Sequence, residues 1–238
     1  MSTSALHLGR WARAAPPRAR PTLVLDLDET TFWRPRGLLD AAVMYTQPRA
    51  LIGTPYAGAI AAVRATSERF NVVAVTARWR VAERSTERML AAAGLERVPT
   101  IFAAGVHPGD ASRVAFKARA IRHLRDEGWA PFAGVGDRRS DLRAYAREGL
   151  AALMVAHAEG AAAGGAARAL AELLPVEAEL RERAGAAGAP PPRVVFFTDC
   201  PRAELAALAG LAAPLLFPGG DQCVWAQVAD FLAREAPP

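Results

Sequence analysis

Two aspartates that are one residue apart follow a short apolar run early in the chain. Asp26 and Asp28 come directly after residues 23–25, whose apolar side chains predict a buried strand. Residues two apart on a strand face the same side, so both carboxylates would lie together at its carboxyl end. Like charges at this spacing repel each other unless a proton or a cation relieves them, and oxygen ligands suit Mg²⁺. A capping or turn pair is the alternative, which the apolar run disfavours.

A threonine and two further aspartates occupy comparable positions later in the chain. Thr76 and Asp137 each follow a short apolar run, and Asp141 lies on the predicted helix that begins just after Asp137. In parallel α/β sheets, ligands bind at the carboxyl ends of the strands. The sequence therefore predicts that the residues at these strand ends meet on one rim: Asp26, Asp28, Thr76 and Asp137.

Lysine is rare in this chain. Lysine and arginine together number 29, and Lys117 is the only lysine. Arginine can replace lysine at most surface positions, but it does not supply a compact ammonium that approaches a phosphate as a point charge. The presence of a single lysine therefore indicates a functional role for Lys117 beside an anionic group.

The overall charge favours anionic partners. The net charge is +5 and the pI is near 10.0, which suits phosphate esters, nucleic acid or an acidic lipid surface. A base-composition bias of the genome is the alternative explanation. No apolar run reaches the roughly 18 residues of a transmembrane helix. The two cysteines, Cys200 and Cys223, provide neither a disulfide framework nor a metal-type spacing, so a reducing, cytoplasmic setting is expected.

Short apolar runs alternate with amphipathic stretches along most of the chain. This alternation predicts an α/β fold with a three-layer, Rossmann-like parallel sheet and helices on both faces. The predicted strands are residues 23–25, 70–75, 99–104, 132–135, 150–155 and 193–198, with a further apolar run at 215–217. The predicted helices are residues 80–93 (ended by Gly94), 110–127, 140–148 (with Ser140 as its N-cap), 166–184, 202–211 and 221–234.

Composition divides the chain into four parts. Residues 1–21 are a basic leader, which we expect to be disordered, with a transit peptide as the alternative. Residues 22–157 contain the core. Residues 158–192 are rich in Ala, Gly and Pro and predict a helix followed by a linker. Residues 193–238 predict a C-terminal βαβα extension, which either extends the sheet or packs as a separate lobe.

The order of these residues resembles the four motifs of the haloacid dehalogenase superfamily. The matching residues are Asp26-x-Asp28-x-Thr30, Thr76, Lys117 and Gly136-Asp137-x-x-x-Asp141, each in the expected strand or helix context. The resemblance covers residues 22–157. Because dehalogenases of this superfamily lack the second aspartate, the presence of Asp28 implies a phosphatase.

The resemblance also implies a mechanism. Asp26 would attack phosphorus and form an aspartyl-phosphate. Asp28 would act as the general acid for the leaving oxygen and then as the base for water. Thr76 would hydrogen-bond the transferred phosphoryl group, and Lys117 would neutralise its charge and orient Asp26.

A magnesium site and an open cleft follow from the same resemblance. Mg²⁺ would be held by Asp26, the main-chain carbonyl of Asp28 and Asp137. Asp141 would be either a further ligand or a residue that supports the ligands, or it would only favour the start of its helix. Phosphatases of this superfamily select substrates with inserted caps, and the motif spacing here leaves room for only a small helical insert around residues 34–56.

Five side chains near the motifs admit simpler interpretations. Arg78 either binds a substrate phosphate or is a solvated arginine at the start of a helix. Trp33 and Trp79 either line the cleft or, as we favour, pack in the core. His107 and His123 lack metal-ligand spacing and are expected on the surface.

The leading interpretation is a phosphomonoester hydrolase with a small phosphorylated substrate. The alternatives are a phosphotransferase, a nucleic-acid phosphatase, a lipid phosphatase with a faint similarity to the lipin type, and a non-catalytic binding module with the same fold. The binding module would be expected to lack Asp26 or Lys117, and both are present.

Overall fold

The apolar runs of the sequence form the strands of a central sheet. The structure is a computed structural model that describes residues 6–9, 20–33, 53–157, 165–199 and 223–235. Its strands are β1 (Leu6–Leu8), β2 (Pro21–Leu25), β3 (Phe32–Trp33), β4 (Thr54–Pro55), β5 (Asn71–Trp79), β6 (Thr100–Ala103), β7 (Ala130–Gly136), β8 (Ala151–Ala156) and β9 (Val194–Thr198). Its helices are α1 (Ala59–Arg69), α2 (Glu83–Ala92, preceded by a 3₁₀ turn at Arg80–Ala82), α3 (Asp110–Asp126), α4 (Arg139–Arg147), α5 (Gly165–Ala186) and α6 (Val224–Glu235).

Seven of the strands form one sheet in the order β1-β6-β5-β2-β7-β8-β9. Strand β1 is antiparallel to β6, and the remaining pairs are parallel. The chain begins the parallel set at β2, moves outward through β5 and β6, and returns to the other side of β2 to form β7. The direction of strand addition therefore reverses between β2 and β7, and ligands bind outside the carboxyl ends of the strands at such a point. The predicted Rossmann-like α/β fold is confirmed.

The apolar side chains of the sheet alternate between two layers of helices. On β2, Leu23 and Leu25 belong to one apolar cluster and Val24 to the other, as the two-residue period of a strand requires. The first cluster includes residues of α1, α2 and α6, and the second includes residues of α3, α4 and α5. Both faces of the central strands are covered, which explains why these strands appear in the sequence as continuous apolar runs.

Helix ends follow the predictions at the carboxyl side and depart from them at the start of α4. Gly94 and Gly149 follow α2 and α4 with φ angles of 68° and 69°, a left-handed conformation that favours glycine. The predicted N-cap, Ser140, is wrong: the cap of α4 is Arg138, and Ser140 lies within the helix. The reason is that the carboxylate of Asp141 accepts the backbone N–H of Arg138 at 3.2 Å, so the helix begins earlier.

Segments outside the predicted core form both edges of the sheet. Residues Leu6–Leu8, inside the predicted disordered leader, form β1 because Leu6 and Leu8 pack against the second apolar cluster. Of the two alternatives for residues 193–238, the described residues show an extension of the sheet, since β9 pairs with β8. The predicted helix at 202–211 and the apolar run at 215–217 lie outside the described residues. Residues 34–52 of the predicted insert also lie outside them, and β3 and β4 flank this segment as an antiparallel pair. Within the described ranges, no helix is long and apolar enough to cross a membrane.

Candidate active site

Two aspartates follow the neighbouring strands between which the sheet reverses its order. Asp26 comes directly after β2, and Asp137 comes directly after β7. The parallel register pairs Leu25 with Val135, and the backbone N–H of Asp26 donates to the carbonyl of Val135 at 3.0 Å. The register of the two central strands therefore brings the two aspartates together.

Asp141 joins this pair from the first turn of α4. Its Oδ2 accepts hydrogen bonds from the backbone N–H groups of Asp137 and Arg138, each at 3.2 Å. A Cβ on Gly136 would come 2.6 Å from the carboxylate of Asp141, so this close approach requires glycine. One oxygen each of Asp26, Asp137 and Asp141 lie within 4.8 Å of one another. Carboxylate oxygens in such a group fit a hard divalent cation.

Lys117 places its ammonium between two of these carboxylates. Its Nζ, reached from α3, lies 2.9 Å from Asp26 Oδ1 and 2.5 Å from Asp141 Oδ1, and the residue is 2% exposed. Burial by itself lowers the pKa of Lys117, but Asp141 and Asp26 raise it to a value above its ordinary one. Lys117 therefore remains charged at neutral pH and fixes the position of Asp26.

The buried cluster holds more negative charge than Lys117 compensates. Burial raises the pKa of Asp26 to about 6; Lys117 opposes this shift, and Asp141 and Asp28 add to it. Burial also raises the pKa of Asp137 well above its ordinary value, although Arg138 opposes the shift. Both directions mean that the fold disfavours the ionised carboxylates, and a bound cation relieves such a cluster.

Asp28 is held by Arg78. The guanidinium donates from Nη2 to Asp28 Oδ1 at 2.6 Å and from Nε to Asp28 Oδ2 at 3.0 Å, while Nη1 donates to Thr86 at 2.9 Å. The alternative of a solvated arginine at a helix start is therefore wrong, because Arg78 lies on β5 and its side chain is 3% exposed. In this geometry Arg78 positions Asp28, and a direct contact of Arg78 with a substrate phosphate stays a prediction.

Thr76 lies beside a register shift of β5. Between Thr76 and Trp79 the pairing with β6 slips, and the backbone N–H of Arg78 donates to Thr76 Oγ1 at 3.2 Å. This shift lets β5 continue to Trp79, beyond the predicted end at residue 75. Thr76 is fully buried, and its described contact is with the strand itself. Its predicted hydrogen bond to a phosphoryl group stays a prediction.

A cavity of about 180 Å³ lies beside the carboxylates. Five of the predicted site residues line it: Asp26, Asp28, Arg78, Lys117 and Asp141. Four further polar residues that the sequence analysis did not assign to the site also line it: His107, Arg113, Arg138 and Ser140. An adjoining cavity of about 390 Å³ shares Arg113 and Arg138 and includes Asp137 in its wall, whereas Thr76 lines neither.

His107 is buried in the wall of the cavity beside Asp26. The expectation that it lies on the surface is wrong: it is 6% exposed, and its ring centroid lies 5.0 Å from that of Phe116. Burial lowers the pKa of His107, and Arg113 lowers it further. A usable signal was present, because His107 follows β6 at the same edge of the sheet that carries Asp26. His123, which was also expected on the surface, is half-buried on α3.

Trp33 packs against the core as favoured, whereas Trp79 is half-buried at the end of β5. Trp79 donates from Nε1 to the carbonyl of Ala104 at 2.9 Å, and Trp33 packs against the first apolar cluster. Neither residue lines the two cavities described above.

The turn after β2 is tied to both strands of the site. The Thr31 hydroxyl donates to the carbonyl of Asp26 at 2.8 Å, and the Thr30 hydroxyl donates to Asp137 Oδ1 at 3.0 Å. Trp225, on α6, donates from Nε1 to the carbonyl of Thr30 at 3.1 Å. These bonds keep the main chain after Asp26 in one position relative to Asp137.

His157 supports the same turn from the end of β8. Its Nε2 donates to the carbonyl of Thr30 at 3.1 Å, and its ring stacks on Tyr56 with the centroids 3.6 Å apart. Burial lowers the pKa of His157 to about 4, although the bond to Thr30 and the nearby Asp199 act in the opposite direction. The folded chain therefore holds a neutral imidazole at this position.

A pH dependence of stability follows from His157. Its pKa falls from 6.5 to about 4 on folding, so its contribution to stability is complete above pH 6.5 and is lost as the pH falls towards 4. The expected loss is at most about 1.4 kcal/mol per pH unit in the free energy of unfolding. Urea unfolding of the wild type and of His157→Gln across this range measures the contribution as their difference.

The glutamine keeps an N–H donor for Thr30 but does not titrate, so His157→Gln should lose less stability than the wild type as the pH falls. His123→Gln, on α3, is the matched control and should follow the wild-type curve. Parallel curves for the wild type and His157→Gln would contradict the assignment of a buried neutral histidine.

The chain has a weak structural likeness to a known protein. No protein-family model matches it, and no curated protein sequence matches it. Among solved structures, DsGPDH of Dunaliella salina aligns with a TM-score of 0.40 and 15% sequence identity. The alignment covers 77% of this chain and 38% of that chain, so this chain spans well under half the length of DsGPDH. A likeness of this size carries no inference about activity.

Proposed function

We propose that the chain is a Mg²⁺-dependent phosphomonoester hydrolase of the haloacid dehalogenase type that forms an aspartyl-phosphate on Asp26. The observation that carries the proposal is the contact of Asp26 with Lys117 inside a cluster of three carboxylates between β2 and β7. A buried carboxylate beside a fixed ammonium and a cation site suits nucleophilic attack on phosphorus.

Asp26 supplies the nucleophile. A carboxylate oxygen forms a bond to phosphorus as the bond from phosphorus to the leaving oxygen breaks. Lys117 orients Asp26 and offsets the negative charge of the phosphoryl oxygens. Because Asp141 also holds Lys117, the lysine keeps its position when Asp26 becomes phosphorylated. Water then attacks phosphorus, which releases orthophosphate and restores the carboxylate of Asp26.

Asp28 transfers the protons. It lines the same cavity as Asp26, so it can donate a proton to the leaving oxygen and later accept one from the attacking water. The ion pair with Arg78 favours the ionised form of Asp28, which suits the second step better than the first. Aryl phosphates, whose leaving groups need no proton, are therefore expected to react faster than alkyl phosphates.

Mg²⁺ fits the carboxylate cluster because its preferred ligands are oxygens and because burial leaves the acidic groups poorly compensated. Asp26 and Asp137 would hold the ion together with the main-chain carbonyl of Asp28. Both oxygens of Asp141 accept hydrogen bonds, so Asp141 would hold Lys117 and the loop of Asp137 in place. When bound, Mg²⁺ stabilises the negative charge that develops on the phosphoryl oxygens.

A small phosphorylated molecule is the proposed substrate. The cavity beside Asp26 measures about 180 Å³, and the adjoining cavity of about 390 Å³ offers room for the rest of the molecule. Arg113 and Arg138 lie in the walls of both cavities, and the net charge of +5 favours an anion.

Hydrolysis of p-nitrophenyl phosphate is expected to require Mg²⁺, to stop when EDTA is added, and to return when Mg²⁺ is restored. Ca²⁺ should suppress it, because Ca²⁺ accepts bidentate carboxylates and would occupy the attacking oxygen of Asp26. Steady-state rates in metal-free buffer with each ion added in turn measure both effects. Full activity in EDTA would contradict the proposed site.

Asp137→Asn separates metal binding from general damage to the protein. This variant should need far more Mg²⁺ for half-maximal activity, because it removes one charged oxygen ligand. Asp126→Asn changes an exposed aspartate near the end of α3 and is the matched control. An unaltered Mg²⁺ requirement in Asp137→Asn would remove Asp137 from the site.

A further inference from the structure

Two polar side chains in the wall of the cavity beside Asp26 are buried without a partner. His107 is 6% exposed and Ser140 is 1% exposed. Among the residues that the structure describes, both ring nitrogens of His107 lack a hydrogen-bond partner, and so does the hydroxyl of Ser140. The mechanism proposed above uses neither residue, although both line the cavity with Asp26 and Lys117.

Such an arrangement is unfavourable unless a ligand completes it. A neutral imidazole always carries one N–H, and a buried donor without an acceptor lowers stability substantially. Packing does not explain the choice of histidine, because a phenylalanine would make the same ring contact with Phe116 without burying a polar atom. An acceptor for the ring N–H is needed, and the cavity beside Asp26 is an open space that His107 borders.

We propose that His107 contacts the substrate directly, with its ring N–H donating a hydrogen bond to an oxygen of the phosphorylated molecule. This inference rests on the proposed phosphatase function. Phosphate oxygens only accept hydrogen bonds, so they suit an imidazole that has a donor and no partner. His107 reaches the cavity from the loop between β6 and α3, whereas Asp26 and Asp28 follow β2. Bound phosphate would therefore lie between His107 and the nucleophile.

His107→Phe is the informative variant because it separates function from stability. It keeps the ring and removes the buried donor, so the thermal midpoint should rise by about 2–6 °C. With p-nitrophenyl phosphate and Mg²⁺, its kcat/KM should fall by about ten- to a hundredfold, the loss expected for one hydrogen bond to a charged group. His107→Gln keeps an N–H donor and should recover part of this loss. His123→Phe, on α3, should leave kcat/KM unchanged.

Binding of orthophosphate in the presence of Mg²⁺, measured by calorimetry, locates the contact. Weaker binding in His107→Phe by the same factor as the loss in kcat/KM supports a contact with the phosphoryl oxygens. Unchanged binding of orthophosphate with a reduced kcat/KM supports a contact with the leaving oxygen.

Wild-type values of both kcat/KM and orthophosphate binding in His107→Phe would overturn the role of His107 alone. A wild-type protein that neither hydrolyses the ester nor binds orthophosphate would overturn the proposed phosphatase function, so the two failures are distinguishable.

Discussion

Asp26→Asn is expected to reduce the hydrolysis of p-nitrophenyl phosphate by at least about a thousandfold while leaving the fold intact. The amide cannot attack phosphorus, which accounts for the loss. The fold survives because Lys117 keeps its ion pair with Asp141 when the charge of Asp26 is removed. Steady-state kinetics, circular dichroism and urea unfolding of the purified variant measure the three parts of this result.

Asp26→Asn is expected not to lower the stability of the protein at neutral pH. Burial raises the pKa of Asp26 from 3.8 to about 6, so this group contributes most to stability below pH 3.8 and its contribution is lost as the pH rises through 6. At pH 7 without Mg²⁺, Asp26→Asn should therefore unfold at an equal or higher urea concentration than the wild type. Residual activity above about a thousandth of the wild-type rate would contradict a nucleophilic role for Asp26.

Lys117→Arg is expected to lose activity nearly as severely as Lys117→Ala, by about a hundredfold or more. The ammonium lies between Asp26 and Asp141 at 2.9 and 2.5 Å and is almost fully buried. A planar guanidinium is wider than an ammonium, so it would displace Asp26 or enter the space that the phosphate needs. The kcat and KM of both variants with p-nitrophenyl phosphate test the expectation.

An arginine-to-lysine substitution on the same helix is the matched control. Arg119→Lys changes an exposed residue near Lys117 on α3 and should retain wild-type kinetics. Lys117→Ala should also lower the free energy of unfolding by about 3 kcal/mol or more, because it leaves buried carboxylates without their partner. Wild-type kinetics in Lys117→Arg would mean that the single lysine of this chain has no role in the reaction.

The parts of the molecule that depend on local pattern could be predicted from the sequence. Alternating apolar runs and amphipathic stretches gave the sheet and its helices, because each central strand is buried on both faces. The same reasoning placed Asp26 and Asp137 on one rim, since neighbouring parallel strands end together. The single lysine among arginines indicated a role for Lys117 beside an anionic group, and the resemblance implied that Lys117 orients Asp26; the two side chains are in contact.

Contacts that depend on irregular backbone could not be predicted in the same way. Arg78 lies within the register shift of β5 and pairs with Asp28. The residue pattern does not reveal such a shift. The place of His107 depends on the path of the loop after β6, where its ring meets Phe116 of α3. Strand β1 pairs with β6 across a long separation in the sequence. The arginines that follow β1 favoured the prediction of a disordered leader over that of a strand.

The pairing of β9 with β8 is a further contact that local sequence pattern does not predict. The residues before β9 are rich in Ala, Gly and Pro, a composition typical of a linker. The helix predicted at residues 166–184 is present as α5, and it places Leu170, Leu173 and Leu174 in the second apolar cluster. The sequence left open whether residues 193–238 extend the sheet or form a separate lobe, and the pairing of β9 with β8 is a tertiary contact that composition does not reveal.

The most direct test of the central claim is to trap the phosphorylated enzyme. Asp28→Asn should still be phosphorylated by p-nitrophenyl phosphate, whose leaving group needs no proton, but it should lack the base that activates water. Acid quenching followed by intact-mass measurement should show the addition of one phosphoryl group. Fragmentation should locate that group on Asp26, and the double variant Asp26→Asn/Asp28→Asn should show no addition. Rapid hydrolysis with no covalent adduct, or an adduct on another residue, would contradict the proposal that Asp26 is the nucleophile.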